Sequence, residues 1–242
     1  MDYYLFVMTL ALINLALVLS FDLVIGWAHL FSLAHAGFVG VGAYSVAILS
    51  TRYGWPMPIC IGAGTFLAAV FTMVVSIPAA RVRDDYLVVA TLGLQMILTS
   101  YAVNSQFTGG DAGVANVPSL FGVDSRWGKL GISAVFVAAV AIVYLRLVRS
   151  SFGRSLHIIR EEEVTAKSMG RNVFAIKVSV FLISGALAGF VGGFYASFLN
   201  YVSADFFNIF VTVQLLTMLI VGGMASFFWW HRDWHRHHDA LA

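Results

Sequence analysis

The sequence predicts an all-α fold: a polytopic bundle of about seven transmembrane helices in a lipid bilayer. Of the 242 residues, 60% are hydrophobic and only 11% are charged, whereas about a quarter of a soluble domain is charged. Apolar stretches that approach the roughly 20 residues needed to cross a bilayer recur along the chain. The few charges lie at the ends of these stretches and in one internal segment, a pattern typical of membrane orientation rather than of nucleic-acid binding.

Each predicted span is centred on one apolar run. The first run carries Asp2 and no basic residues, so it is interpreted as a retained span and not as a signal peptide. The second is short and rich in small residues, which indicates a broken or tilted helix, and the fourth is polar enough to face protein or a pathway. The predicted spans are Tyr3–Phe21, Ser32–Leu49, Met57–Ala79, Tyr86–Val103, Gly131–Val148, Val173–Leu199 and Ile209–Gly223.

The basic residues predict the orientation. If the connections after the third and fifth spans are cytoplasmic, nine basic residues lie inside and three outside, before the C-terminal tail is counted. The N-terminus and the segment Asn104–Lys129 are then external. That segment contains the turn-rich run Thr108–Pro118, which is too polar for lipid unless protein covers it. The basic residues are Arg81, Arg83, Arg146, Arg149, Arg154, Arg160, Lys167, Arg171 and Lys177 inside, and Arg52, Arg126 and Lys129 outside.

Two spans carry residues suited to a translocation pathway. Small residues thin one surface of the helix predicted around Ser32–Tyr44, which suits either close helix packing or the approach of a solute. An ionisable group inside an apolar span, here His35, is either functional or paired internally. Asp84 and Asp85 suit the N-terminus of the fourth helix and need no further role. The candidate pathway residues are His35, Gly40, Tyr44, Thr91 and Gln95.

The internal segment 149–172, here the charged loop, holds eight of the 26 charged side chains in 24 residues. Ile158, Ile159, Val164 and Met169 recur at roughly helical spacing, so one or two short helices are predicted. Gly170 suits the position just after a helix. An amphipathic helix can also lie on a membrane surface, but three adjacent glutamates favour a partner protein over an anionic lipid surface.

The sequence contains no constellation of catalytic or cofactor-binding residues. It lacks a phosphate-binding loop, a zinc-protease motif and a nucleophile elbow. Its single cysteine, Cys60, excludes a disulfide framework and is interpreted as a small buried hydrophobic residue. The chain is therefore predicted not to be an enzyme, with no metal site outside a histidine-rich tail.

Four motifs in order resemble the inner-membrane permease subunits of branched-chain amino-acid ABC transporters, of the LivM type. Close relatives that carry urea or short amides share the pattern. The motifs are spread over residues 32–196. They are SLAHAGFVGVGAYSVAIL (32–49), RVRDDYLVVATLG (81–93), TGGDAGVANVP (108–118) and FGRSLHIIREEEVTAKSMGRNVFAIKVSVFLISGALAGFVGGFYA (152–196).

The resemblance implies the role of the charged loop: the stretch Glu161–Gly170 would dock into a groove of an ATPase subunit. The importer signature, Glu-Ala-Ala followed by three residues and Gly, is degraded here to 164–170, without its glutamate. It also implies two ATPase subunits that bind the ATP, a second permease subunit, a periplasmic binding protein and the bacterial inner membrane. The coupling residues so implied are Glu161, Glu162, Glu163, Ala166 and Gly170.

The tail departs from the family, whose members continue past residue 228 with another apolar span. Moving the reading frame by one nucleotide from Trp229 gives a glycine-rich apolar sequence. The expectation is therefore a permease domain at 1–228, a frameshifted polar tail at 229–242, and a C-terminus truncated relative to the family. The alternative is a metal-binding tail through its four histidines, His231, His235, His237 and His238.

Two other classes of function remain open from the sequence. An ion-coupled secondary transporter requires charged or basic groups within the spans, and only His35 and Lys177 lie near such depth. An intramembrane enzyme requires clustered His, Asp or Glu on facing helices, and the sequence does not supply such a cluster.

Overall fold

The computed structural model describes residues 2–82, 84–120, 126–161, 163–168 and 170–224, and it confirms the all-α prediction. The tail 229–242, whether frameshift product or metal site, lies outside these residues. The helices in the described part are α1 (Asp2–Asp22), α2 (His35–Arg52), α3 (Met57–Ala79), α4 (Asp84–Asn104), α5 (Arg126–Arg149), α6 (Ser151–Glu161), α7 (Glu163–Ser168), α8 (Val173–Leu199) and α9 (Ile209–Gly222).

A helix stands at each of the seven predicted spans. The bounds of α3 and α8 are the predicted ones, whereas α2 begins three residues later than predicted. Within the described residues, five helices are long and apolar enough to cross a membrane: those of α1, α3, α4, α5 and α8. At 1.5 Å per residue, α2 and α9 extend only about 27 and 21 Å, short of a hydrocarbon core of roughly 30 Å.

The centre of the bundle is formed by α2, α3 and α8, which pack closely along their lengths. Glycines make this approach possible. A Cβ atom on Gly42 would lie 2.3 Å from the Gly189 carbonyl oxygen, and one on Gly192 would lie 2.2 Å from the Val39 carbonyl oxygen. The small residues of α2 therefore serve helix packing, one of the two roles that the sequence left open.

A short antiparallel ladder covers the turn-rich run Thr108–Pro118. Strand β1 (Val114–Ala115) pairs with β2 (Tyr201–Val202), which follows α8. Gly113 has φ +68°, and a Cβ atom there would lie 2.2 Å from the Val202 carbonyl oxygen. Only glycine fits this position, so the polar run is held against the end of α8 by its own backbone.

Candidate functional site

The charged loop forms two helices, α6 and α7, as predicted. The chain turns at Gly170, whose φ of +73° places it just after α7. Its N–H donates to the Lys167 carbonyl at 3.0 Å, and the Arg171 N–H donates to the Ala166 carbonyl at 3.1 Å. These two bonds close the helix end, which confirms the position predicted for Gly170.

One side of α6 and α7 packs against the rest of the protein. Leu156 joins the main core, while Ile159, Ala166 and Val173 form a small separate cluster at the base of α8. Ala166, one of the predicted coupling residues, is completely buried in that cluster. Its side chain packs inside that cluster, and its role in coupling stays a prediction.

The other side of the loop is polar and exposed. Exposed residues in its described part include Arg154 in α6, Lys167 in α7, and Gly170 and Arg171 in the turn that follows. The side chains of Glu161, Glu162 and Glu163 lie outside the described residues, but the backbone places Glu161 and Glu163 where α6 ends and α7 begins. The exposed side of α6 and α7, here called the charged ridge, therefore lies opposite the side that packs against the bundle.

The first turn of α2 lies inside the bundle. The Gly37 N–H donates to Gln95 Oε1 at 2.8 Å, and the Leu33 N–H donates to Thr91 Oγ1 at 3.0 Å. Thr91 and Gln95 lie about 10 and 16 Å along the 21-residue α4. Helix α2 therefore begins about halfway along α4, and the prediction of a broken or tilted second span stays a prediction.

The start of α9 lies at the same depth. Gln95 Nε2 donates to the Phe207 carbonyl, two residues before α9, and Thr212 Oγ1 in the first turn of α9 accepts from the Ala36 N–H at 3.2 Å. Backbone groups at membrane depth must be satisfied by protein, because lipid offers no hydrogen bonds. Gln95 thus joins the beginnings of two short helices.

Replacing Gln95 by Leu tests the contribution of these two hydrogen bonds. The Gly37 N–H and the Phe207 carbonyl would both lose their partner, and each unpaired buried group costs about 1–3 kcal/mol. We expect a marked fall in the thermal unfolding midpoint of the purified protein in detergent. Thr99→Val is the control, since the Thr99 hydroxyl bonds mainly within its own helix; equal midpoints for both variants would contradict the assignment.

His35 makes a buried hydrogen bond and a ring contact at the start of α2. Its Nε2 lies 3.0 Å from Ser20 Oγ, and its ring stacks on Phe21 with 4.5 Å between centroids. Ser184 Oγ donates to the Ser20 carbonyl at 2.6 Å, which connects the pair to α8. The geometry gives His35 a structural place between α1, α2 and α8, and its role in translocation stays a prediction.

Gly40 and Tyr44 line a cavity of about 200 Å³ between α2, α4 and the segments Gln106–Thr108 and Ala204–Phe207. Its walls are mostly apolar. The Tyr44 hydroxyl is buried and has no hydrogen-bond partner among the described residues. Of the five predicted pathway residues, the structure thus brings two onto a cavity and the other three into hydrogen bonds with distant segments of the chain.

The sequence reasoning missed a buried carboxylate, Asp22, at the end of α1. Tyr144 donates its hydroxyl proton to Asp22 Oδ2, and Trp27 Nε1 donates to the Tyr144 oxygen at 2.9 Å. Asp22 is only 3% exposed. Its partner is 122 residues away, and the only signal in the sequence is one acidic residue interrupting an apolar run.

Comparison with known proteins matches residues 3–229 to the family described as branched-chain amino acid transport system, permease component. The chain is 31% identical to the high-affinity branched-chain amino acid transport system permease protein LivM of Escherichia coli (strain K12) over 91% of its length. It is 30% identical to the protein of the same name in Salmonella typhimurium, also over 91%. It is 26% identical, over 92%, to the fructose import permease protein FrcC of Rhizobium meliloti.

The relatives are longer than this chain: it covers 58% of each of the two LivM proteins and 64% of the fructose permease. No solved structure gives a significant match. The matched proteins are named as permeases, and permeases are not enzymes. This agrees with the prediction from the sequence that the chain is not an enzyme.

Proposed function

The chain belongs to the permease family of branched-chain amino acid transport systems, and from this premise we propose that it is the membrane-spanning subunit of an ABC importer. The permease domain is residues 1–228. The chain carries out no covalent chemistry; its spans alternate between outward- and inward-facing arrangements as partner ATPases close and open. The coupling resides in contacts that differ between the two arrangements.

The observation that carries this proposal is the charged loop between α5 and α8. Two consecutive helices that carry the charged ridge are fixed to the bundle through Leu156 and the cluster of Ile159, Ala166 and Val173. Because this helix pair is packed against the bundle, a displacement of the pair also moves the adjacent spans α5 and α8. A solvated connector would need neither the buried face nor the closed end at Gly170.

The partners follow from the same proposal. Two ATPase subunits bind the ATP and receive the charged loop, a second permease subunit completes the pathway, and a periplasmic binding protein delivers the solute. The location is the bacterial inner membrane. The positive-inside distribution of basic residues supports this arrangement, because it predicts that the charged loop is cytoplasmic.

The proposed substrates are branched-chain, apolar amino acids. The LivM relatives support this assignment, whereas a relative named for fructose import shows that this architecture serves other solutes as well. Urea or a short amide is the alternative within the same mechanism. The substrate assay should therefore include leucine, fructose and urea.

Uptake into sealed vesicles tests the proposal. The vesicles contain this chain together with the ATPase, second-permease and binding-protein subunits. Leucine uptake should then require ATP on the side of the membrane where the ATPase subunits lie, and it should stop when the ATPase subunits are omitted. A proton or sodium gradient should not replace ATP. Leucine uptake that runs on an ion gradient without ATPase subunits would instead establish the secondary-transporter alternative.

A further inference from the structure

We infer that the cavity beside α2 is a solute-binding subsite and that the Tyr44 hydroxyl binds the polar end of the solute. The inference rests on the proposed transport function and adds to it a position and a binding residue. The expected ligand is a small molecule with an apolar body and one ionised or polar head, such as an apolar amino acid.

The size of the cavity fits such a ligand. Its volume of about 200 Å³ corresponds to roughly seven water molecules at about 30 Å³ each. That is below the roughly 300–1,000 Å³ of sites for drug-sized ligands. A single small solute is therefore the largest occupant that the present shape admits.

The hydroxyl groups around the cavity differ in one respect. Ser45 Oγ donates to the Val41 carbonyl at 2.6 Å, Thr99 Oγ1 to the Gln95 carbonyl at 3.0 Å, and Thr108 Oγ1 to the Ala102 carbonyl at 2.8 Å. Tyr44 is only 8% exposed, and its hydroxyl has no partner among the described residues. Tyr101, the other hydroxyl-bearing residue of the lining, is 59% exposed. In the present arrangement the Tyr44 hydroxyl is therefore the one buried hydroxyl of the lining left without a partner in the described part of the chain, and protein covers it.

An unpaired buried hydroxyl destabilises the state in which it is found. In the present state the Tyr44 ring packs edge-to-face against Phe207, with 6.1 Å between centroids. Phe207 ends a short 3-10 turn, Ala204–Phe207, which connects β2 to α9. A shift of this turn away from α2 uncovers the hydroxyl, and a solute that then bonds to it offsets the cost of the unpaired group.

The cavity lies on the side where an imported solute arrives. The segments Gln106–Thr108 and Ala204–Phe207 belong to connections opposite the charged loop, and the charge distribution predicts that they are external. Arg52 holds the first segment over α2: its Nη2 donates to the Gln106 carbonyl at 3.3 Å, and its guanidinium lies 5.1 Å from the Phe107 ring centroid.

Tyr44→Phe separates binding from folding. Removing an unpaired hydroxyl leaves the unfolding midpoint of the purified protein unchanged or higher. Leucine uptake by the complete transporter should nevertheless fall about tenfold, the loss expected for one hydrogen bond to a charged head. Tyr53→Phe is the matched control, because Tyr53 directly follows the same helix and is 63% exposed. Undiminished uptake by Tyr44→Phe would overturn the inference.

A cysteine at the cavity wall reports occupancy directly. The natural cysteine, Cys60, is buried, so Ser45→Cys is made in a Cys60→Ala background of the complete transporter. Leucine should slow modification of this thiol by a small methanethiosulfonate in proportion to the fraction of sites occupied. Thr51→Cys, in the same helix but away from the cavity lining, should react at the same rate with and without leucine.

The two tests distinguish this inference from the proposed function. If uptake still depends on the ATPase subunits but leucine protects Ser45→Cys no better than Thr51→Cys, the transport function stands and the subsite is wrong. If uptake is independent of the ATPase subunits, the proposed function fails whatever the cysteine shows.

Discussion

Replacing Gly42 by Ala should destabilise the protein by about 3 kcal/mol, the upper end of what overpacking a well-packed interior costs. A Cβ atom at this position would lie 2.3 Å from the carbonyl oxygen and 2.4 Å from the Cα of Gly189 in α8. Both atoms belong to helix backbone, so the clash is relieved only if α2 and α8 move apart. The change would open a closely packed interface in the centre of the bundle.

Gly62→Ala is the matched control for Gly42→Ala. Gly62 lies in α3, and a Cβ atom there would have no neighbour within 4 Å. Because alanine favours a helix by about 1 kcal/mol over glycine, the control should be as stable as the parent protein or slightly more so. The measurement is unfolding of the purified variants by titration with a denaturing detergent. Equal stability of the two variants would contradict the proposed packing.

Much of the fold could be predicted because it depends on local features. The apolar run Val173–Leu199 ends at a polar residue on each side, and helix α8 has those bounds. Asn172 caps it, its side chain accepting from the Ala175 N–H at 3.1 Å. Gly170 could be predicted in the same way, since a helix that ends in solution commonly ends at a glycine with positive φ.

The hydrogen bonds between helices could not be predicted from the sequence, because they pair residues that lie far apart in the chain. The Gly37 N–H and the Gln95 side chain are 58 residues apart, and Tyr144 and Asp22 are 122 apart. Each side chain alone is simply a polar residue in an apolar run. The sequence therefore predicts that the fourth span, with Gln95, faces protein or a pathway, but it does not predict that Gln95 satisfies the backbone at the starts of two short helices.

The same distinction between local and long-range features applies to the candidate site. The charged loop was evident from composition alone, whereas the cavity at Tyr44 exists only where α2 meets α4 and the turn before α9. Gly40 shows the difference: a Cβ atom there would lie 3.0 Å from the Phe207 side chain, 167 residues further along the chain. The small residue at position 40 was visible in the sequence, but the wall that it faces was not.

Reversing the acidic run where α6 ends and α7 begins, by Glu161→Lys, Glu162→Lys and Glu163→Lys together, should abolish coupling to the ATPase subunits. Like charges placed against each other at an interface cost several kcal/mol, so uptake should fall more than tenfold. Membrane insertion should remain normal, because the buried contacts of Leu156, Ile159 and Ala166 are untouched.

Asp111→Lys is the control for charge itself, since Asp111 is exposed in the connection predicted to be external. It makes the same kind of change on the opposite side of the membrane, and uptake should be preserved. Replacing the three glutamates at 161–163 by glutamine should give an intermediate loss of uptake. These substitutions remove the attraction between the loop and the ATPase subunit without adding repulsion.

The most direct measurement is the ratio of solute imported to ATP hydrolysed by the complete transporter in sealed vesicles, compared between the parent chain and the triple Lys variant. We expect the variant to hydrolyse ATP while importing little solute, so that the ratio falls more than tenfold. An unchanged ratio would mean that the charged loop is only a solvated connector and that the ATPase subunits act elsewhere.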